Sequence, residues 1–354
     1  MVARSHRPGG HAALFATCLI LAGVLLSTPA AAQSAGEFYK GKRLDFIIGY
    51  EPAESYDTFG RLLARHLGAH IPGNPNVVVR NKPGAGSLLA ANSLFREAPK
   101  DGSTIGMVTQ SLYFMQIVGQ PNIEYDAPKF NWVGRITGVT DLVIVWHQSP
   151  VKTIEDAKKM KASIAVGGAV SGSTFYVNFM NAMLGTKLEA VRGYTGAGPM
   201  LAMERGEIDG TGSVNWFGLQ ATKPDWIRDR QINILVQIGL TKAPGLEKIP
   251  LFPDLATNDR DRKILVALAS TDEIGRSVLA PPDIPADRLA TLRRGFDSAV
   301  ASEPFLSEAK TMKVSINPMT GENLGKLVFD SGNGLTPEMV SQIKTMAGLE
   351  GSKP

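Results

Sequence analysis

Short apolar runs alternate with amphipathic stretches along most of the chain, and polar, glycine- or proline-rich turns separate them. Residues 44–48 form an apolar run rich in branched and aromatic side chains, which predicts a buried strand. Residues 49–56 are polar. Phe59, Leu62, Leu63, His66 and Leu67 then recur at helical spacing and predict an amphipathic helix, with Asp57 placed to cap its free N–H groups. Residues 77–79 predict the next strand, and Pro83-Gly84-Ala85-Gly86 turns the chain into a short helix over 88–95. Pro99-Lys100-Asp101-Gly102 is a turn, and 104–108 a further strand.

The same rhythm continues. Strands are predicted over 132–136 and 141–146, and the second is a candidate crossing because a new α/β pattern begins beyond it. Thr153 opens a helix, with Asp156 three residues on as a capping box. A strand over 163–166 runs into Gly167-Gly168-Ala169-Val170-Ser171-Gly172-Ser173-Thr174 and a helix over 175–184. Strands come next over 188–191 and 232–238, with a helix over 200–205 ended by Gly206. Segments 264–269 and 276–279 are placed to carry a return crossing, and helices from Ala286, Glu303, Glu322 and Pro337 complete the chain. Strand–helix alternation of this kind predicts an α/β protein of two lobes, each a mostly parallel sheet with flanking helices. The expected division is 1–32 a secretory signal, 33–145 the first part of lobe 1, 146–265 lobe 2, and 266–354 the return to lobe 1.

In an open α/β sheet, ligands gather at the loops after the strands, where helix N-termini favour negative groups. Three such loops stand out. The first holds Tyr50, Ala53, Glu54, Ser55, Tyr56 and Asp57; the second Thr109, Gln110 and Ser111; the third Ser171, Gly172, Ser173 and Thr174. Tyr194 and Asn215 are expected on the same side. Each loop also fits ordinary helix capping without a ligand.

The chain has 354 residues, 44% hydrophobic and 20% charged, within the globular range. Arg4 and Arg7, the apolar stretch 12–26 and Ala30-Ala31-Ala32 match a secretory signal with its cleavage site. Its removal would take the net charge from +4 to +2. So small a charge, without a basic run, gives no argument for nucleic acid. Cys18, the one cysteine, falls inside that signal, so no disulfide is expected after export.

Other chemistries are poorly supported. His66 and His70 have a zinc-like spacing, but Leu67 stands where a zinc protease needs glutamate. Gly84-Ala85-Gly86-Ser87-Leu88-Leu89 lacks the third glycine of a dinucleotide loop. Gly321 to Leu327 is a broken P-loop. Glu51 and Glu54 could act as an acid–base pair, though a solvated loop face fits them better. No cofactor or metal is expected.

The first loop and the helix, strand and turns after it resemble the opening of the substrate-binding receptors of the tripartite tricarboxylate transporter family. The resemblance rests on Asp57, Arg61-Leu62, the run Val77-Val78-Val79-Arg80-Asn81-Lys82-Pro83-Gly84-Ala85-Gly86, and Asp101-Gly102-Ser103-Thr104. Further on, Gly193-Tyr194-Thr195-Gly196-Ala197-Gly198-Pro199 and Ala280-Pro281-Pro282-Asp283-Ile284-Pro285 resemble family turns. The resemblance implies a type II-like periplasmic binding protein closing on a small carboxylate held mainly by loop N–H groups and hydroxyls; a monomer is expected, though the sequence carries no signal for oligomeric state. It also implies delivery to membrane permease subunits. Ala53-Glu54 departs from the family's glycine pair. A carboxylate there disfavours a bound tricarboxylate and points to a monocarboxylate, an amide, or a zwitterion whose ammonium meets Glu54 or Glu51. An exported enzyme on the same scaffold, or a ligand sensor for a membrane signalling protein, are the competing readings.

Overall fold

Leu44, Phe46 and Ile48 alternate along one strand and are fully buried, which fixes that strand against a helical layer. Burial of each such side chain contributes about 1.5–3 kcal/mol. The computed structural model describes residues 1–3, 35–169 and 171–348. Nearly all of the expected secretory signal lies outside the described residues.

After the short helix α1 (Ala35–Tyr39), the first lobe is built from β1 (Arg43–Ile48), α2 (Ser55–Leu67), β2 (Asn76–Asn81), α3 (Leu88–Arg96), β3 (Thr104–Met107), α4 (Leu112–Ile117) and β4 (Asn131–Thr137). The second lobe holds β5 (Asp141–Trp146), α5 (Ile154–Lys159), β6 (Lys161–Ala165), α6 (Gly172–Leu184), β7 (Lys187–Val191), α7 (Gly198–Glu204), β8 (Gly210–Asn215), α8 (Trp216–Thr222), α9 (Pro224–Arg228) and β9 (Ile232–Ile238). The chain then runs through α10 (Asp259–Ile274), β10 (Arg276–Ala280), α11 (Ala286–Ala301), α12 (Glu303–Thr311), β11 (Met319–Thr320), α13 (Gly321–Gly332) and α14 (Pro337–Met346).

One sheet has the order β11-β4-β10-β3-β1-β2, the other β7-β6-β8-β5-β9. Both are mixed rather than mostly parallel. The β-α-β units pair in parallel, as in β2-β1-β3 and β7-β6-β8. The strands next to the crossings, β4, β5 and β10, pair antiparallel with their neighbours. A strand that enters a sheet from the other lobe arrives from the opposite end, so its direction is reversed.

The crossings also move the expected boundary. β5 lies between β8 and β9 in the second sheet, so the first crossing is the short segment 138–140 and not β5 itself. The return passes from α10 through Gly275 into β10. Ile264, Leu265, Leu268 and Ala269 of α10 still pack in the second lobe's core, whereas Val278 of β10 belongs to the first. A third passage comes after α13. Leu324 and Val328 pack with Trp132 and Leu279 of the first lobe, but Met339, Ile343 and Met346 of α14 join the second lobe's core. The expectation that all C-terminal helices rejoin lobe 1 therefore fails at α14, whose apolar face finds α6 instead.

Polar groups tie the crossings together. Arg135 in β4 is buried and donates to the Glu273 carboxylate at 3.1 Å and to its carbonyl at 2.6 Å. The other Glu273 oxygen accepts from the Thr241 hydroxyl at 2.9 Å, beyond β9. The capping box read at Thr153 and Asp156 is present, with both reciprocal bonds formed. His66 is committed to Glu308 at 2.7 Å and packs edge-on against Phe305.

Candidate functional site

The loop after β1 is held from below by one acid. Asp57 is buried inside the first turn of α2. Its carboxylate accepts the Ala53 N–H at 2.8 Å, the Arg61 Nε–H at 2.9 Å and the Asn81 side-chain amide at 2.8 Å. Asn81 also donates to the Tyr50 carbonyl at 2.9 Å, so both ends of the loop are fixed. Asp57 is thus a clamp within the loop, not the helix cap; the cap position is Glu54, which makes no side-chain cap bond. Burial alone would raise the Asp57 pKa, but Arg61, Asn81 and the Ala53 N–H outweigh it and hold it below the usual value. Ala53 has φ 68°, a left-handed backbone that glycine adopts without strain. Glu51 and Glu54 are exposed to solvent.

Above the clamp, a polar chain runs from one lobe to the other. The Tyr50 and Tyr56 rings stack with centroids 4.0 Å apart. The guanidinium of Arg276, the first residue of β10, lies over Tyr56 at 4.1 Å. Arg276 donates to Gln110 Oε1 at 2.6 Å and to the Ser55 hydroxyl at 3.2 Å. Gln110 takes its backbone bond from Tyr56, donating its N–H to the phenol oxygen at 3.0 Å. Its side-chain amide donates to Asp272 Oδ1 at 2.9 Å, which also accepts the Tyr176 hydroxyl of α6 at 3.1 Å. Asp272 Oδ2 accepts the Asp141 N–H at 3.1 Å, and Asp141 accepts the Ser213 hydroxyl at 2.8 Å.

Two neighbouring acids at the crossings leave a titration signature. Burial, with the charge of Asp141 as the next cause, pushes Asp272 well above its ordinary value. Burial also raises Asp141, against the opposing effects of the Ser213 hydrogen bond and the Arg276 charge. The native state therefore keeps a proton that the unfolded chain releases near pH 4. Stability from this pair is highest at the acid end and falls as pH rises from about 4, by up to about 1.4 kcal/mol per unit for each retained proton. Asp57 has the opposite sign: its contribution is present above about pH 4 and is lost as pH falls through its depressed pKa. We expect urea unfolding measured between about pH 4.5 and 7 to show the first slope. Asp272→Asn should flatten it, and an unchanged slope would assign it to other groups.

A cavity of about 370 Å³ opens at the crossings. The first lobe contributes Ser55, Phe59 and Thr137, the crossing Gly138 and Val139, the second lobe Asn215 and Phe217. Arg276 and the segment 313–315 complete the wall. Among the described residues Arg276 makes no ion pair, and its direct partners Ser55 and Gln110 are neutral. A larger open groove of about 700 Å³ is lined by α2, β2 and the segment between them, so lobe closure cannot bear on it.

Of the residues expected at the site, Ser55 and Asn215 reach the cavity wall, and Asn215 also caps α8 by accepting the Gly218 N–H at 2.9 Å. Tyr56 and Gln110 contact Arg276 directly, and Tyr50 stacks on Tyr56 behind them. Thr109 and Ser111 shape the turn before α4, the Thr109 hydroxyl accepting the Ser111 N–H at 3.2 Å. The loop at Ser171 does not reach this cavity. The Ser171 hydroxyl is 3.0 Å from those of both Ser173 and Thr174, Ser173 accepts the Gly167 N–H, and Thr174 donates to the Gly168 carbonyl. Gly172 lies against the Tyr176 ring, and Tyr194 packs on the second lobe's core. Arg276, Asp272, Asp141 and Phe217 were not singled out from the sequence, and Phe59 was read only as part of the apolar face of α2. The one local signal was Gly275-Arg276 at the start of a run expected to carry the return crossing.

Two mixed-sheet lobes, joined by several passages and opening a cavity where they cross, have the architecture of two-lobed solute-binding proteins. Residues 61–330 match the tripartite tricarboxylate transporter family receptor, and the chain belongs to that family. A UPF0065 protein in the gbd 5′ region of Cupriavidus necator is 30% identical over 151 residues, 41% of this chain and 45% of that protein. The chain thus matches rather less than half the length of that curated relative. A TctC solute-binding protein from Polaromonas, solved without ligand, shares the fold with a TM-score of 0.66 at 17% identity, over 88% of this chain and 99% of that one. MatC from Rhodopseudomonas palustris, solved with malate, has a TM-score of 0.54 at 18% identity over 86% and 99%. Among the described residues, no helix is long and apolar enough to cross a membrane.

Proposed function

We propose that this chain is a periplasmic receptor that captures a small organic acid between its lobes and delivers it, unaltered, to the permease of a tripartite tricarboxylate-type transporter. One observation carries the reading: the Arg276 guanidinium on the wall of the cavity between lobes, whose hydrogen bonds among the described residues go to the neutral Ser55 and Gln110. A carboxylate entering the cavity can take the place of those acceptors and meet the guanidinium fork with two charge-assisted bonds. Family membership and the malate bound by a relative of the same fold support an acid as the ligand. Contacts to both lobes would favour the closed arrangement, a population shift with no bond made or broken. The receptor works as a monomer, with the permease as its membrane partner.

Titration calorimetry of the exported protein against a panel of mono-, di- and tricarboxylates tests this. The expected result is one-to-one binding of at least one acid, recovered with unchanged mass, and a matching rise in melting temperature. Absence of heat with every acid, or a changed mass, would overturn it.

A further inference from the structure

We infer that the cavity selects acids with an apolar body, aromatic or long-chain aliphatic, over compact acids crowded with hydroxyls and carboxylates. The inference rests on the receptor reading and names the ligand class of the same site. The carboxylate would meet Arg276, and the body would lie between Phe59 of the first lobe and Phe217 of the second.

The wall shows why. Phe59 packs partly against the first lobe's core and Phe217 partly against the second's, and both also line the cavity. Val139 and Val314 add apolar surface. Of the polar groups beside them, Thr137 donates to the Gly138 carbonyl, whereas Ser55 and Asn215 accept from Arg276 and Gly218 and keep their own donors. A compact hydroxy-polyacid would lay its further oxygens against Phe59, Phe217, Val139 and Val314, and each one left unpaired on desolvation is unfavourable. An acid with one anionic end and an apolar body asks for one charged anchor and two apolar faces, which this wall has. Lys313, exposed at the cavity and without an ion pair among the described residues, can meet a second anionic group at the far end of such a body. Glu51 and Glu54 are not on the wall, so no ammonium partner is required of the ligand.

The arrangement also couples selection to closure. An apolar body touching Phe59 and Phe217 buries surface from both lobes at once, so it favours arrangements that keep both faces on one cavity.

The test is calorimetric titration of the exported full chain with phenylacetate, adipate, malate and citrate. Phenylacetate or adipate is expected to bind at least about tenfold more tightly than malate and citrate, a difference of one decade in Kd. Phe217→Ala and Phe59→Ala should weaken the better ligand at least about tenfold while moving malate less than about threefold. The unmutated protein's ranking stands on its own if either variant folds poorly. Malate or citrate binding as tightly as the apolar-bodied acids, or both variants weakening every acid equally, would overturn the inference and leave the receptor reading intact. Failure of all four acids, together with the wider panel above, would remove the receptor reading itself.

Discussion

Arg276→Gln should weaken binding of every acid ligand by about 100-fold. Removing one partner of a desolvated charge pair costs about 2–5 kcal/mol, and about 2.7 kcal/mol is a hundredfold in Kd. Glutamine is close in reach but carries no charge and no fork. Arg276→Lys restores the charge as a point donor, without the planar stack on Tyr56, and should recover only about tenfold of the loss. The variant has a second, ligand-free consequence. The Arg276 charge opposes the upward shift of Asp141 and Asp272, so its loss should raise both further and extend the pH range over which stability declines. Calorimetry reads the first effect and urea unfolding against pH the second. If Arg276→Gln binds acids as the unmodified protein does, the anion sits elsewhere, and the loop at Ala53 becomes the next candidate.

Gly275→Ala should destabilise the fold by about 3 kcal/mol or more. Gly275 joins α10 to β10 with φ 53° and ψ −137°, a conformation open to glycine and hardly to any other residue. A Cβ there would lie 2.2 Å from the Thr137 carbonyl oxygen and 2.8 Å from Gly138 Cα. Both are backbone atoms of the other crossing, so no side chain can swing away to make room. The two crossings would have to separate, which also disturbs the Asp272 bonds that span the lobes. Gly206→Ala is the control. Its φ is 69°, but no atom lies within 4 Å of the added carbon, so only the backbone strain of about 1 kcal/mol applies. Equal urea midpoints for the two variants would show that the crossings tolerate separation.

Much of the fold was legible because its signals are local. The apolar runs that became β1, β5 and β9 announce themselves by composition, and Thr153 with Asp156 carries its own cap in four residues. Strand direction has no such local mark, so the mixed sheets were not readable, and the apolar run at β5 looked like the end of one lobe when it belongs inside the next. Of the residues expected from loop position, Ser55 and Asn215 stand on the cavity wall, and Tyr56 and Gln110 contact Arg276. Arg276 meets Ser55 and Gln110 across separations of 221 and 166 residues, and nothing near Arg276 marks that meeting. The loop Gly167 to Thr174 admits two readings from the same residues. Hydroxyls spaced two and three apart suit a ligand, but they suit one another equally well, and here they bond among themselves.

The third passage between the lobes makes the C-terminal region a short lever with one end in each. α13 packs on β4 of the first lobe and on α10, and α14 on α6 and α10, with only residues 333–336 between them. Phe329 is 57% exposed and Ser341 is also on the surface, so dyes placed at these two positions ride on opposite lobes although they are neighbours in sequence. If ligand closes the lobes, energy transfer between the two dyes is expected to change on its addition. For the same reason, a domain fused after Gly348 is expected to ride with α6 and the second lobe.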